Sequence, residues 1–198
     1  MALIDEIADI QRKNGIVGRR SELERALVAI KSGKNLMIEG PVGVGKTVLA
    51  VAVAKHLGRP VFRVDGDERY TEQKLSGWFD PPIVFEKGYI ADAFVPGPLT
   101  DAMREGGVLF MNEMNRMPEG VQNILLPAMD EGLIEIPKIG TVKAKVGFVV
   151  IGKHLSRIAE QFTFVLCFNV FDRSFCRSIS GGIPAFAWMD CSYRRNYT

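Results

Sequence analysis

The sequence predicts an α/β fold in which a parallel sheet is covered by helices on both faces. Short apolar runs typical of buried strands, at Asn35–Glu39, Val108–Met111 and Val146–Ile151, alternate with segments of helical periodicity. A glycine-rich loop at Gly40–Thr47 joins the first of these strands to an apolar helix, Val48–Leu57. This order of strand, loop and helix makes the loop the centre of the predicted fold.

Size, composition and charge limit the classes of protein to consider. The 198 residues suffice for one domain with a core, and the fractions of 47% hydrophobic and 24% charged residues are those of a globular protein. A net charge of +2 provides no strongly basic surface, and no apolar run reaches the ~20 residues that cross a bilayer. The three cysteines are too few and too late in the chain for a disulfide framework. We therefore expect a cytoplasmic protein that binds neither nucleic acid nor membrane.

The elements before the loop and just after its helix are predicted from periodicity and capping signals. An amphipathic helix spans Leu3–Lys13, and a second helix opens at Ser21, which has capping-box spacing to Glu24. Beyond the loop helix, Pro60–Val64 is predicted as a strand. The segment Asp65–Pro98 is expected to be mostly irregular, with short helices possible at Thr71–Leu75 and later. In a compact domain such a long segment indicates either a functional insertion or elements that the pattern does not reveal.

The second half of the chain continues the alternation. Helices are predicted over Leu99–Glu105 and from Pro118 to the glycine at position 132. Leu133–Ile136 and Thr141–Lys145 form a predicted hairpin. The apolar run Phe162–Phe171 is a possible fifth strand of the sheet.

The loop matches the phosphate-loop pattern G-x-x-x-x-G-K-[ST] at every fixed position. Its glycines allow successive backbone N–H groups to converge, and the following helix directs its positive end to the same place. Lys46 would reach the β- and γ-phosphates of a nucleotide, and the Thr47 hydroxyl would bind Mg²⁺. The residues predicted to contact the nucleotide here are Gly40, Pro41, Val42, Gly43, Val44, Gly45, Lys46, Thr47 and Val48.

The strand Val108–Met111 ends in Asn112-Glu113, where an acid is needed to activate water and assist the metal. Glu113 has a carboxylate that could act as a general base towards the γ-phosphate. Asn112 has an oxygen acceptor without negative charge, so Mg²⁺ would be held more by the phosphates than by the protein. The predicted catalytic residues are thus Lys46 and Glu113, and the predicted metal ligands are Thr47 and Asn112.

Several motifs together resemble an AAA+ ATPase of the MoxR type over roughly residues 16–151. They are Ile16-Val-Gly-Arg19, Gly40-Pro-Val-Gly-Val-Gly-Lys-Thr47, Phe94-Val-Pro-Gly-Pro-Leu99, Asn112-Glu-Met-Asn-Arg-Met-Pro118 and Gln122-Asn-Ile-Leu-Leu-Pro-Ala-Met-Asp-Glu131. The resemblance implies the three-layer core of a P-loop NTPase, with ATP and Mg²⁺ as cofactors. It also implies that Ile16 and Val17 line the adenine pocket.

The same resemblance implies an assembly and a type of partner. MoxR-type proteins form rings, commonly hexamers, with ATP between subunits, and they remodel or mature protein clients. Partners with von Willebrand A domains are frequent. The insertion after the second strand and the hairpin near Gly140 resemble family segments that act on clients.

The chain departs from the family pattern after the fourth strand. Gly152–Leu155 lacks the expected sensor asparagine, and Phe171-Asp-Arg173 is displaced from the usual position of the arginine that reaches a neighbouring subunit. We therefore divide the chain into an N-terminal helix (1–15), an AAA+ core (16–151) and an atypical tail (152–198). The helical lid domain of the family is also expected to be missing. An altered reading frame or a truncation would explain this tail, and the lack of the sensor asparagine, the arginine and the lid predicts ATP binding with weak hydrolysis.

Three other functions are consistent with parts of the sequence. The first is a non-hydrolysing nucleotide-binding module or truncated ring subunit, which Asn112 and the altered tail favour. The second is a P-loop kinase, although a basic lid is not evident. The third is a nucleic-acid motor, which the near-neutral charge disfavours.

Overall fold

The computed structural model describes residues 3–40, 43–155 and 164–168, with backbone alone for 154, 155 and 164–168. The strands are β1 (Asn35–Gly40), β2 (Val61–Asp65), β3 (Gly77–Phe79), β4 (Phe94–Pro96), β5 (Val108–Asn112), β6 (Leu133–Ile136), β7 (Gly140–Lys143), β8 (Val149–Leu155) and β9 (Phe164–Phe168). The α-helices are α1 (Leu3–Asn14), α2 (Arg20–Lys31), α3 (Lys46–His56), α4 (Glu72–Ser76), α5 (Pro81–Lys87), α6 (Pro98–Glu105) and α7 (Glu119–Asp130).

The main sheet has five strands in the order β2-β5-β8-β1-β9. The first four strands are mutually parallel, as the alternation of strands and helices predicts. The fifth strand confirms the prediction from the apolar run, but it pairs antiparallel with β1. The predicted parallel sheet is therefore confirmed for four strands, and β9 adds an antiparallel edge for which no direction was predicted. An apolar run can belong to a parallel or to an antiparallel pair, so the sequence did not indicate the direction of this strand.

Helices α1, α2 and α3 cover one face of the sheet. Their buried side chains pack on alternate strand residues, including Ile38 of β1, Phe110 of β5 and Ile151 of β8. The strand period of two residues sends the intervening residues to the opposite face. Helix α1 joins this layer through Ile7 and Ile10, which are almost fully buried.

Helices α4, α6 and α7 form the second layer, together with the β6–β7 hairpin. The intervening strand residues, such as Met37, Leu109 and Val150, belong to this second core. The sheet is therefore buried on both faces, which confirms the predicted three-layer α/β architecture and explains its unbroken apolar strands.

The insertion between β2 and α6 is more regular than the sequence predicts. It contains α4, the β3–β4 pair, α5 and a 3₁₀ turn at Ala91–Ala93. The short helix predicted at Thr71–Leu75 is confirmed as α4, whereas the other elements were not predicted because each has seven residues at most. Their pattern is too brief to be distinguished from a loop.

Two further details differ from the prediction. The capping box is absent, because Arg19, with φ 58°, occupies the N-cap position of α2 and Ser21 lies inside the helix with its hydroxyl donating to Glu22. The strand that was predicted to begin at Val146 is β8, which begins at Val149, and Val146 is fully exposed. Both errors concern element ends, which depend on backbone geometry more than on residue type.

No helix in the described part of the chain is long and apolar enough to cross a membrane.

Asn35 links the sheet to the second helical layer. Its side chain is buried, its Nδ2 donates to the carbonyl of Met129 at 3.2 Å, and its Oδ1 accepts from the backbone N–H of Val150 at 2.9 Å. Three elements, β1, α7 and β8, therefore share one buried amide.

We expect Asn35→Ala to lower the free energy of unfolding by about 1–3 kcal/mol, because it leaves the buried N–H of Val150 without an acceptor. Urea denaturation measures this change. Gln73→Ala, at an exposed position of α4, is the control and is expected to change stability by less than about 0.5 kcal/mol. Equal effects of the two substitutions would contradict the assigned role of Asn35.

Candidate functional site

The glycine-rich loop leads directly from the end of β1 into α3. Gly43 and Gly45 have φ values of 85° and 83°, in the left-handed region that other residues adopt only with strain. Gly45 is the N-cap of α3, and its carbonyl accepts the first helical hydrogen bond from Leu49 at 3.0 Å. The predicted binding residues Pro41 and Val42 lie outside the described residues. The described part of the loop leads straight into the N-terminus of α3, where helices bind anions in other proteins.

Lys46 is the first residue of α3 and one of the few buried charged residues in the described chain, with 4% of its surface exposed. Its Nζ donates to the carbonyl of Gly40, at the end of β1, at 2.6 Å. Burial lowers the pKa of Lys46, the neighbouring Lys153 ammonium lowers it further, and Glu39 opposes the shift. A bound anion would stabilise the charged form of Lys46 at this position.

The other predicted residues beside the loop are less enclosed. Thr47 is half-buried on the first turn of α3, and Val48 is 52% exposed. Ile16 packs partly against the core formed by α1, α2 and α3, whereas Val17 is 94% exposed. The described residues therefore leave Val17 open to solvent rather than enclosed in a pocket.

Arg19 connects the start of α2 to the loop. Its Nη2 donates to the carbonyl of Val44 at 3.1 Å, and its Nη1 donates to Glu22 at 2.9 Å. In the sequence this arginine was part of a family motif and had no assigned role. The structure shows that it restrains the loop from the side of the N-terminal segment.

Asn112 is the last residue of β5 and Glu113 follows it, at the same edge of the sheet as the loop. Because β1, β8 and β5 are adjacent and parallel, their carboxyl ends lie side by side. Two strand spacings separate β1 from β5, or about 10 Å. Lys46 and Glu113 are therefore on the same edge, as the sequence predicts.

Glu113 occupies a left-handed conformation with φ 55° and ψ 44°, immediately before a 3₁₀ turn at Met114–Arg116. Its Oε2 accepts a hydrogen bond from Arg116 at 3.1 Å, and this contact raises the pKa of Arg116. The Glu113 side chain is partly exposed. The unusual backbone turn sets the direction in which this side chain leaves the strand.

Asn112 contacts Asp65, which belongs to no sequence motif. Its Nδ2 donates to Oδ1 of Asp65, at the end of β2, at 2.8 Å. Its own Oδ1 is buried and has no hydrogen-bond partner among the described residues. Arg63 donates to both oxygens of Asp65, which lowers the pKa of that carboxyl, and Asn112 and Lys153 act in the same direction against partial burial.

Lys153 is a second residue that the sequence did not identify. Met111 pairs with Gly152, so the next residues along β5 and β8, Asn112 and Lys153, are also neighbours. Residue alternation places Lys153 on the same face as Ile151, towards α3. Asp65 of β2 is the register partner of Asn112, so Lys153, Asn112 and Asp65 lie side by side on three adjacent strands. Only the register of the folded sheet brings these separated residues together.

Gly66 fixes the end of β2 against the end of β5. Its N–H donates to the carbonyl of Asn112 at 2.7 Å. A Cβ at Gly66 would lie 2.2 Å from the carbonyl oxygen of Glu113, a distance that no folded structure tolerates. The close approach therefore requires glycine and determines where the Asn112-Glu113 segment lies.

Comparison with known proteins now identifies the family. The sequence-family model described as the AAA domain (dynein-related subfamily) matches residues 35–171, which is well over half of the chain. The chain belongs to this AAA family. Its α/β core is that of a P-loop NTPase, and ATP hydrolysis with Mg²⁺ is the general activity of the family.

Curated relatives and solved structures agree with this assignment. The AAA chain is 35% identical over 117 residues to the gas vesicle ATPase GvpN of Haloferax mediterranei, covering 53% of the chain and 34% of the relative. It is 27% identical over 183 residues to YehL of Escherichia coli K12, covering 85% of the chain and 50% of that protein. The chain thus spans a third to a half of these relatives.

The fold similarity extends to solved structures of longer chains. The structure of the Hsp104–ADP complex of S. cerevisiae matches with a TM-score of 0.55 and 24% identity, covering 77% of this chain and 28% of that one. At this identity the match establishes the shared fold alone.

We expect Gly66→Ala to lower the free energy of unfolding by about 1–3 kcal/mol, because the added methyl overlaps the backbone of Glu113. Thermal or urea denaturation measures this loss. The control is Gly120→Ala, whose methyl would meet only the movable carboxylate end of Glu72 at 2.5 Å. That variant is expected to be as stable as the unaltered chain or more stable by up to about 1 kcal/mol, because alanine favours a helix over glycine. A Gly66→Ala protein as stable as the control would contradict the proposed close contact.

Proposed function

We propose that this AAA chain binds ATP with Mg²⁺ and is the ATPase core of a MoxR-type ring subunit that remodels or matures protein clients. The observation that carries the proposal is the position of buried Lys46 at the same sheet edge as Asn112 and Glu113. A basic group at the end of a glycine loop faces a carboxylate about two strands away, which is the arrangement that a nucleoside triphosphate needs.

The loop would bind the phosphates through three features of the chain. Its left-handed glycines turn the backbone, and the start of α3 contributes the positive end of a helix dipole. Lys46 would exchange its hydrogen bond to the carbonyl of Gly40 for contacts to the β- and γ-phosphates. Arg19 would keep the loop in place through the carbonyl of Val44.

The residues at the sheet edge fit a magnesium ion that is held mainly by the phosphates. The buried, unpartnered Oδ1 of Asn112 is a neutral oxygen ligand, and the Thr47 hydroxyl is a second. The part of the chain that the structure describes contains no group of three acidic, histidine or cysteine side chains that could bind a metal alone. Bound Mg²⁺ would neutralise charge on the phosphates, and the protein oxygens would orient it.

Glu113 would act as the general base that accepts a proton from the attacking water. Its Oε2 is engaged by Arg116, so Oε1 would be the accepting oxygen unless that ion pair opens. We further propose that hydrolysis is slow, because Asn112 carries no charge. In addition, Lys153 lies near the end of β8, where MoxR-type proteins have a sensor asparagine.

The assignment to ring assembly and protein clients is supported by the resemblance and by exposed apolar groups in the insertion. Phe85 on α5 is 95% exposed and Tyr89 is 62% exposed. Together with Phe79, Pro81 and Val84 they line an open groove of about 430 Å³. Such exposed aromatic groups are typical of surfaces that contact other proteins. Partners with von Willebrand A domains are one class of client consistent with the MoxR assignment.

A second function, a nucleotide-binding module that does not hydrolyse ATP, is favoured by one observation. Glu113, the residue directly after β5, already accepts a hydrogen bond at its Oε2 from Nη1 of Arg116 at 3.1 Å. If that pair persists with ATP bound, the base would be restrained away from the substrate. Release of phosphate distinguishes the two functions.

We expect Lys46→Met to weaken ADP binding at least about tenfold, because hydrogen bonds to a charged group contribute about 1.5–3 kcal/mol. Binding of a fluorescent ADP analogue to the purified chain measures the change. Lys55→Met, an exposed position on the same helix, is the matched control and should bind ADP like the unaltered chain. If the unaltered chain has no affinity for ADP, the proposed function is wrong.

We expect Glu113→Gln to reduce ATP hydrolysis by about 10²-fold or more, because a general base contributes that much to proton transfer. ATP binding should persist, since the loop and Lys46 are unaltered. Phosphate release and ATP affinity are measured on the same sample. If neither the unaltered chain nor the variant releases phosphate while both bind ATP, the non-hydrolysing alternative is correct.

A further inference from the structure

We propose that Asp65 is a positioning residue for the metal site, which directs the amide oxygen of Asn112 towards Mg²⁺ and supplies the negative charge that position 112 lacks. This inference rests on the proposed function, since it assumes that a Mg-nucleotide occupies the loop. Asp65 belongs to β2, the strand on the far side of β5 from the loop.

The geometry of the Asp65–Asn112 pair fixes the direction of the amide. The two residues are register partners in adjacent parallel strands, and Nδ2 of Asn112 lies 2.8 Å from Oδ1 of Asp65. A carboxylate only accepts hydrogen bonds, so the amide must turn its nitrogen towards Asp65. The amide oxygen then points the other way, away from β2.

That amide oxygen is the feature which needs a ligand. It is buried and unpartnered within the part of the chain that the structure describes, and an unsatisfied buried acceptor is unfavourable in a folded protein. Strand alternation sends Asn112 to the same sheet face as Phe110, the face that α3 covers. A cation or its bound water near the start of α3 would satisfy this oxygen.

Asp65 is itself held in place. Arg63, two residues earlier on the same face of β2, donates to Asp65 from Nη2 at 2.8 Å and from Nε at 3.1 and 3.2 Å. The side chains of Arg63 and Asp65 are 55% and 58% exposed, and exposed ion pairs contribute little to stability. The main consequence of this arrangement is therefore the orientation of Asn112.

The pair also distributes charge in an unusual way. The Asp65–Asn112 pair has one carboxylate and one amide, and the carboxylate lies one strand further from the loop than position 112. Asn112→Asp alone would place two carboxylates within hydrogen-bond distance, where like charges oppose ionisation of both. Exchanging the two residues would keep the pair intact and move the charge to position 112.

The experiment measures Mn²⁺ affinity in the presence of ADP, by electron paramagnetic resonance of free Mn²⁺, and ADP affinity in EDTA. Asp65→Ala is expected to weaken Mn²⁺ binding roughly tenfold, as loss of an outer partner of a metal ligand does, with metal-free ADP affinity unchanged. The exchange variant Asp65→Asn with Asn112→Asp is expected to bind Mn²⁺ at least as tightly as the unaltered chain. Glu68→Ala, which removes an exposed acid three residues away, is the matched control.

Each result has one meaning. Unchanged Mn²⁺ affinity in Asp65→Ala overturns the inference, and so does an exchange variant that binds Mn²⁺ no better than Asp65→Ala. Equal losses of Mn²⁺ and metal-free ADP affinity in Asp65→Ala also overturn it, because they indicate a structural role. Failure of the unaltered chain to bind ADP rejects the proposed function instead, so the two failures are distinguishable.

Discussion

The parallel pairing of β2, β5, β8 and β1 is the constraint on which the candidate site depends. Parallel strands that share one direction end at one edge, and helices on both faces prevent any strand from turning over. Residues far apart in the chain, such as Lys46, Asp65 and Asn112, therefore meet at that edge. A slip of one residue in any of these strands would send its polar terminal side chain to the opposite face.

The buried ammonium group of Lys46 dominates the electrostatics at this edge of the sheet. Lys46 would be unfavourable in its position without the carbonyl of Gly40, and it lies near a second ammonium at Lys153. Two cations beside one glycine loop favour a multiply charged anion over a neutral ligand. Two acidic groups of the sheet edge, Glu113 and Asp65, lie two and three strands away from β1, so they do not cancel the charge at the loop.

The end of β2 has a larger role than its exposed position suggests. Gly66 approaches the backbone of Glu113 so closely that no side chain fits, and Asp65 holds the amide of Asn112. Together these contacts set both the position and the orientation of the strand end that faces the loop. Stability and ligand geometry are thus coupled through one short segment between β2 and the insertion.

The sequence alone determined the glycine loop between strand and helix and the alternation of strands and helices, and it indicated Asn112-Glu113 as a candidate segment, because these depend on local residue type and spacing. Tertiary structure decided which residues join them. Neither Asp65 nor Lys153 belongs to a recognisable motif, and only strand register brings them beside Asn112. The direction of β9 and the short elements of the insertion were likewise decided by packing, since fewer than two helical turns or a handful of apolar residues do not define a period.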